Sequence, residues 1–173
     1  MVILITGASH TGKTLLAQRM LETYKYPYLS IDHLKMGLIR CGRTELTPED
    51  DDALTPCLWP IVREIIKTAV ENRQNLIVEG CYVPFDWRRE FDARYLPFLR
   101  FVCLAMTDAY IDAHFPEIMA HASEIEARQD DTGCTAEGLK SENRKIVEGF
   151  RASGEEVVLI DADYERTIRP LLD

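Results

Sequence analysis

No stretch of this chain is apolar for long enough to cross a bilayer, and no charged-then-apolar leader opens it. Met1 is followed at once by Val2-Ile3-Leu4-Ile5, so the expectation is a cytoplasmic protein without a targeting segment. Paired cysteines are missing too. Cys41, Cys57, Cys81, Cys103 and Cys134 are odd in number and form no C-x-x-C, which argues against a disulfide framework and a zinc knuckle. Cys103 sits in an apolar run and reads as core. Repeats and low-complexity tracts are absent. Positive charge is scarce: 20 Lys and Arg face 29 Asp and Glu, a net charge of −9 that repels nucleic acid and anionic membranes. Neither is therefore expected as a partner. Only six of those cations are lysines, and the arginines, better bidentate clamps for phosphate, leave a locally basic cleft open.

What is present begins with the first fourteen residues, MVILITGASHTGKT. A short apolar run reads as a buried strand and feeds into Gly7-Ala8-Ser9-His10-Thr11-Gly12-Lys13-Thr14, which fits G-x-x-x-x-G-K-[ST]. Leu15, Leu16, Met20 and Leu21 follow at helical spacing. The glycines allow backbone N–H groups to converge on a polyphosphate, and the helix start adds its positive dipole end. Lys13 supplies a cation for the β- and γ-phosphates, and the Thr14 hydroxyl is placed for Mg²⁺. Residues Gly7 to Leu15 are thus the expected binding segment for a nucleoside triphosphate with Mg²⁺.

At 173 residues and 46% hydrophobic content, the chain reads as one domain over 1–173. Short apolar runs at Val2–Ile5, Tyr26–Ile31, Asn75–Glu79, Phe98–Ala105 and Val157–Ile160 read as strands, alternating with helical patterns. That alternation predicts a parallel sheet covered by helices on both faces, an α/β fold in three layers. Ligands then gather beyond the carboxyl ends of the strands. The second helix is expected from Leu34, and the third from a Thr47-Pro48 start, broken or kinked by Pro56 and Pro60. The acids from Glu49 to Asp52 read as a solvated first turn. Pro116 is expected to disturb the helix begun at Asp108. Gly154 is expected to end the helix capped by Thr135. His114, Glu117, His121 and Glu124 recur every seven residues, but Pro116 makes a solvated face the better reading than a metal site. Trp59 and Trp87 read as packing residues, with Trp87 close enough to the third-strand turn to line a pocket.

With these residues in view the chain resembles the P-loop small-molecule kinases of the nucleoside monophosphate kinase-like group. The wording IVEGCYVP is similar to the turn of 2-phosphoglycerate kinases, and SIDHLKMGLIR to their second-strand helix. The resemblance implies the sheet order 2-3-1-4-5, an acceptor-side helical region at about 33–72 and a small helical flap at about 115–135. It implies that Asp32 contacts the acceptor hydroxyl or the metal, and that Arg128, with Asp131 three residues on, acts from the flap. The D-G-F-P-R turn of adenylate kinases, the D-R-[YFH]-S signature of deoxynucleoside kinases and a guanine-reading N-K-x-D are all missing.

The expected function is ATP- and Mg²⁺-dependent phosphoryl transfer to a small anionic metabolite, a hydroxyl acceptor being favoured. Lys13, Asp32 and Arg128 are the catalytic candidates. Asp32, Arg40, Arg43, Glu79, Gly80 and Arg88 are the acceptor-side candidates, and Thr14 with Glu79 the metal ligands. Arg144 is a second flap candidate. An adenylate-like kinase, an antibiotic or sugar-nucleotide phosphotransferase and a non-catalytic ATP-binding module stay open as alternatives.

Overall fold

The computed structural model describes residues 1–121 and 133–172. Five strands form one parallel sheet: β1 (Val2–Gly7), β2 (Tyr28–Ser30), β3 (Leu76–Glu79), β4 (Leu99–Met106) and β5 (Val158–Ile160). Their order across the sheet is β2-β3-β1-β4-β5, as the resemblance implied. Among the described residues six α-helices connect and cover them: α1 (Lys13–Tyr24), α2 (Ile31–Arg40), α3 (Asp51–Glu71), α4 (Asp108–His121), α5 (Ala136–Ala152) and α6 (Tyr164–Ile168). Among the described residues no helix is long and apolar enough to cross a membrane.

Every residue of β1 is buried because the strand is central and both its faces are covered. Val2 and Leu4 point to one side, into a cluster with Leu58, Val62 and Ile66 of α3 and Phe150 of α5. Ile3 and Ile5 point to the other, against Leu16, Ala17 and Met20 of α1 and Ile168 of α6. That alternation is the period of two that a strand imposes. A smaller cluster of Met106, Ile111, Leu139 and Ile160 ties α4 and α5 to the ends of β4 and β5.

Several expectations shift at element ends. The second helix begins at Ile31 rather than Leu34, with Ser30 as its N-cap, so Asp32 lies just beyond β2 and in the first turn of α2. The predicted helix start at Thr47 is instead a turn: the Asp50 carboxylate accepts from Thr47 N (2.7 Å) and Oγ1 (2.9 Å), and α3 begins at Asp51. α3 runs as one helix through Pro56 and Pro60. Both prolines are exposed, so water can satisfy the carbonyls that lose a donor. Pro116 does disturb α4, which loses helical geometry at His114 (φ −125°). Gly154, at φ 82°, closes α5 with the bonds Gly154 N to Arg151 O and Glu155 N to Phe150 O. The last helix stops at Ile168, before a 3₁₀ turn containing Pro170. Trp87 is fully buried, stacked on Phe101 at 5.2 Å, and belongs to the core rather than to a pocket wall. The flap expected at 115–135 lies largely outside the described residues.

Candidate active site

The loop after β1 is shaped by close approaches. Gly7 (φ 140°) lies so near β4 that a Cβ there would sit 2.0 Å from Leu104 O, and Ala8 N donates to the same oxygen (3.2 Å). Thr11 Oγ1 (2.8 Å) and Lys13 Nζ (2.7 Å) both donate to Ala8 O, folding the loop back on itself. His10 and Gly12 carry the positive φ values, 61° and 72°, that this reversal needs. Tyr164 Oη donates to Gly12 O (2.7 Å) and steadies the loop from α6. Gly12 caps α1 without a side chain, and no acid stands in the first turn, so the N–H groups of Lys13, Thr14 and Leu15 keep their positive field for an anion. One anion is already on the loop: the Glu142 carboxylate accepts from Ser9 N (2.8 Å) and Ser9 Oγ (2.9 Å).

Beside the loop, Thr14 Oγ1 lies 3.4 Å from Glu79 Oε1. Glu79 ends β3 and pairs in register with Ile5 and Ser30, which buries it to 2% exposure. Gly80 follows because a side chain there would meet Ile31 Cβ at 2.7 Å, and this close approach seats α2 against the turn. A hydroxyl and a carboxylate are hard oxygen donors of the kind Mg²⁺ takes. Among the described residues no group of three or more His, Cys, Asp or Glu could hold a metal ion, and His114 with Glu117 and His121 makes none. Two protein donors match a Mg²⁺ that takes its remaining ligands from phosphate and water.

On the other side of the cleft the structure assembles a chain of charge that sequence reasoning missed. Asp32 pairs with Lys35 at 2.7 Å, Lys35 Nζ donates to Tyr82 Oη at 2.7 Å, and Tyr82 Oη donates to Asp51 Oδ1 at 2.7 Å. Burial, followed by the neighbouring Cys81 and the bond to Asp51, raises the Tyr82 phenol far above its ordinary range, so it stays a donor. The Cys81 thiol, pushed up to about 11 chiefly by burial, feels Lys13, Asp32, Asp51 and Lys35 together. The i, i+3 spacing of Asp32 and Lys35 was a visible signal. Nothing local marked Asp51 or Tyr82.

The arginines distribute differently from the expectation. Arg40 and Arg43 are exposed near the far end of α2. Arg40 is about 12 Å along the helix from Asp32. Arg88 does not join the site: its guanidinium makes two bonds to Glu155, 2.6 and 2.9 Å, at the amino-terminal side of β5. Arg144 binds Asp108 at the start of α4, with Nε to Oδ2 at 3.0 Å, and so holds α5 to α4. Arg128 and Asp131 lie outside the described residues.

No family model matches this sequence, and no curated protein does. Solved structures do. A gluconokinase from Sinorhizobium meliloti is similar over 99% of this chain and 89% of its own, with a TM-score of 0.56 at 18% identity. A sugar kinase from a Janibacter species is similar over 99% and 91%, with a TM-score of 0.56 at 17% identity. Shikimate kinase from Aquifex aeolicus is similar over 99% and 94%, with a TM-score of 0.53 at 14% identity. With the phosphate loop after β1 and the order β2-β3-β1-β4-β5, the chain has the fold of the P-loop small-molecule kinases.

Proposed function

We propose that the chain is a phosphotransferase that moves the terminal phosphoryl group of ATP, with Mg²⁺, to a hydroxyl of a small anionic metabolite. The observation that carries this reading is the phosphate loop after β1: Gly12 opens α1, Lys13 Nζ folds onto Ala8 O (2.7 Å), and Thr14 Oγ1 lies 3.4 Å from the buried Glu79 carboxylate. Gly7 to Leu15 hold the polyphosphate, and Lys13 exchanges Ala8 O for phosphate oxygens. Thr14 and Glu79 hold Mg²⁺, which neutralises charge on the phosphates when bound. Asp32, aimed by Lys35, orients the acceptor hydroxyl and takes its proton as oxygen attacks phosphorus and ADP leaves. Arg40 and Arg43 draw an anionic acceptor toward the mouth of the cleft. Gly80 keeps α2 close enough for this arrangement. Five cysteines, odd in number and without C-x-x-C spacing, support a reducing, cytoplasmic setting.

A second reading has its own observation. Asp51 stands with Asp32 on the acceptor side, and Glu49 to Asp52 line a shallow, open depression of about 370 Å³. An acceptor bearing an amine, as some antibiotics do, suits that acidic rim. Acceptor-stimulated ATP turnover tests both readings. Turnover should rise with a phosphate- or carboxylate-bearing polyol and collapse in Asp32→Asn. A rise only with amino-bearing acceptors selects the second reading. Tight ATP binding with no effect of any acceptor fits a regulatory module instead.

A further inference from the structure

The carboxylate on the phosphate loop has a consequence of its own. Glu142 belongs to α5, 133 residues from Ser9 in sequence, yet it accepts both the Ser9 N–H (2.8 Å) and the Ser9 hydroxyl (2.9 Å). We infer that Glu142 is an internal occupant of the phosphate loop, which a nucleotide must displace, so that this side chain sets nucleotide affinity. The inference rests on the reading of Gly7 to Leu15 as a polyphosphate site.

The fold places Glu142 firmly. Its neighbour Asn143 is 1% exposed; it accepts from Met106 N (2.7 Å) and donates to Leu139 O (2.7 Å), fixing α5 to the end of β4. Two residues earlier on β4, Leu104 O accepts from Ala8 N and anchors the loop itself. Loop and helix thus hang from the same strand end, and the carboxylate falls on Ser9 as a result. Arg144 adds a second tether to Asp108 (3.0 Å). With Asn143 and Arg144 both held, α5 has little freedom to retreat. The step that clears the loop is rotation of the Glu142 side chain.

Charge makes the exchange matter. A carboxylate and a polyphosphate cannot share one N–H donor without like-charge repulsion. A site whose competent state is populated only part of the time binds its ligand more weakly by that fraction. The loop's own helix adds no acid in its first turn. The repulsive element is therefore contributed from α5 and can be removed without touching the motif.

The test is calorimetric titration of Mg·ATP, without acceptor, into wild type, Glu142→Gln and Glu148→Gln. Gln keeps the shape of Glu142 and loses its charge. Glu148→Gln removes the same charge from an exposed position of α5 as a control. The expected result is about tenfold tighter binding in Glu142→Gln and unchanged binding in Glu148→Gln. Equal or weaker binding in Glu142→Gln overturns the inference; weaker binding makes the carboxylate a partner of the Mg²⁺ complex rather than its competitor. An equal gain in Glu148→Gln also overturns it, because net charge then explains the effect. Wild type and Glu142→Gln that both bind no nucleotide overturn the phosphate-loop reading and this inference with it. Should Glu142→Gln lose its far-UV circular dichroism, Glu142→Asp replaces it, with its shorter arm withdrawn from Ser9. About threefold tighter binding in Glu142→Asp then supports the inference, and no gain overturns it.

Discussion

The ammonium of Lys35 lies 2.7 Å from the Asp32 carboxylate and donates across 2.7 Å to the Tyr82 hydroxyl. One turn of α2 thus holds an acid in place from the side opposite its helix dipole, and the tyrosine holds the lysine. For phosphoryl transfer, which asks the protein mainly for position and charge, this is the arrangement an acceptor-orienting carboxylate needs. Asp32→Asn should lower kcat by roughly 10²–10³-fold. Lys35→Met should lower kcat by about tenfold with a smaller change in ATP KM, because it acts through Asp32. The double variant should be no slower than Asp32→Asn alone. Steady-state kinetics on the four proteins checks the coupling, and simple additivity would separate the two residues.

Gly7 has no room for a side chain. A Cβ would stand 2.0 Å from Leu104 O, a backbone atom of the neighbouring strand, and φ is 140°. Gly7→Ala should cost about 3 kcal/mol of stability and lower Tm by about 10 °C. Thermal unfolding measures this, and an unchanged Tm would mean that β1 and β4 separate there easily.

Arg88 serves the core rather than the cleft. Its side chain is 47% exposed while that of its partner Glu155 is 6% exposed, so removing the arginine strands a carboxylate. Arg88→Ala should lower Tm by about 5 °C, from a loss of about 2 kcal/mol, and leave turnover per folded molecule unchanged. A fall in kcat with an unaltered Tm would return Arg88 to the acceptor site.

The cysteines give a pH signature. Burial pushes the Cys81 thiol from its ordinary 9.0 up to about 11, and Cys103 up to about 12. At pH 8 their thiolate fractions are about 100-fold or more below that of an ordinary thiol. Iodoacetamide should label exposed Cys41 and spare both, as peptide mass mapping would read. The linkage follows from the raised values. Below pH 9 these thiols are protonated in folded and unfolded chains alike, and their contribution to stability is fully present. From pH 9 toward 11 the unfolded chain loses protons first, so stability falls. Denaturation midpoints taken across pH 8 to 11 should decline, and the Cys81→Ala, Cys103→Ala double variant should decline less.

The parts legible in the sequence were those with local causes. The phosphate loop is four fixed letters between an apolar run and a helical repeat, and each letter answers a backbone need visible at Gly7, Gly12 or Lys13. Strand number and helix alternation came from hydrophobic runs of the right length. Asp32 and Glu79 stood out because one follows the second run and the other ends the third, and Asp32 also lies in the first turn of α2. What stayed hidden depends on distant partners. Asp51 read as a solvated acid until Tyr82, 31 residues on, reached it. Arg88 read as an acceptor clamp until Glu155, 67 residues on, took it. Glu142 sits in a polar helix with no local mark, and only the shared anchor of α5 and the loop on β4 brings it to Ser9. Pairings over such separations are set by topology, which residue spacing does not carry.

The central claim is phosphoryl transfer, and the most direct measurement is a mass-spectrometric search for new phosphate esters. The protein is incubated with Mg·ATP and a pool of nucleotides, phosphoglycerates, sugars and aminated antibiotics, beside Lys13→Ala. Lys13→Ala removes the cation from the loop, and Ala8 O keeps a donor in Thr11 Oγ1 (2.8 Å), so the loss should spare the fold. One acceptor gaining 80 Da, about the mass of a phosphoryl group, with intact Lys13 and at least roughly 10²-fold less with Lys13→Ala, is the predicted result. No phosphorylated acceptor, from a protein that demonstrably binds ATP, would contradict it.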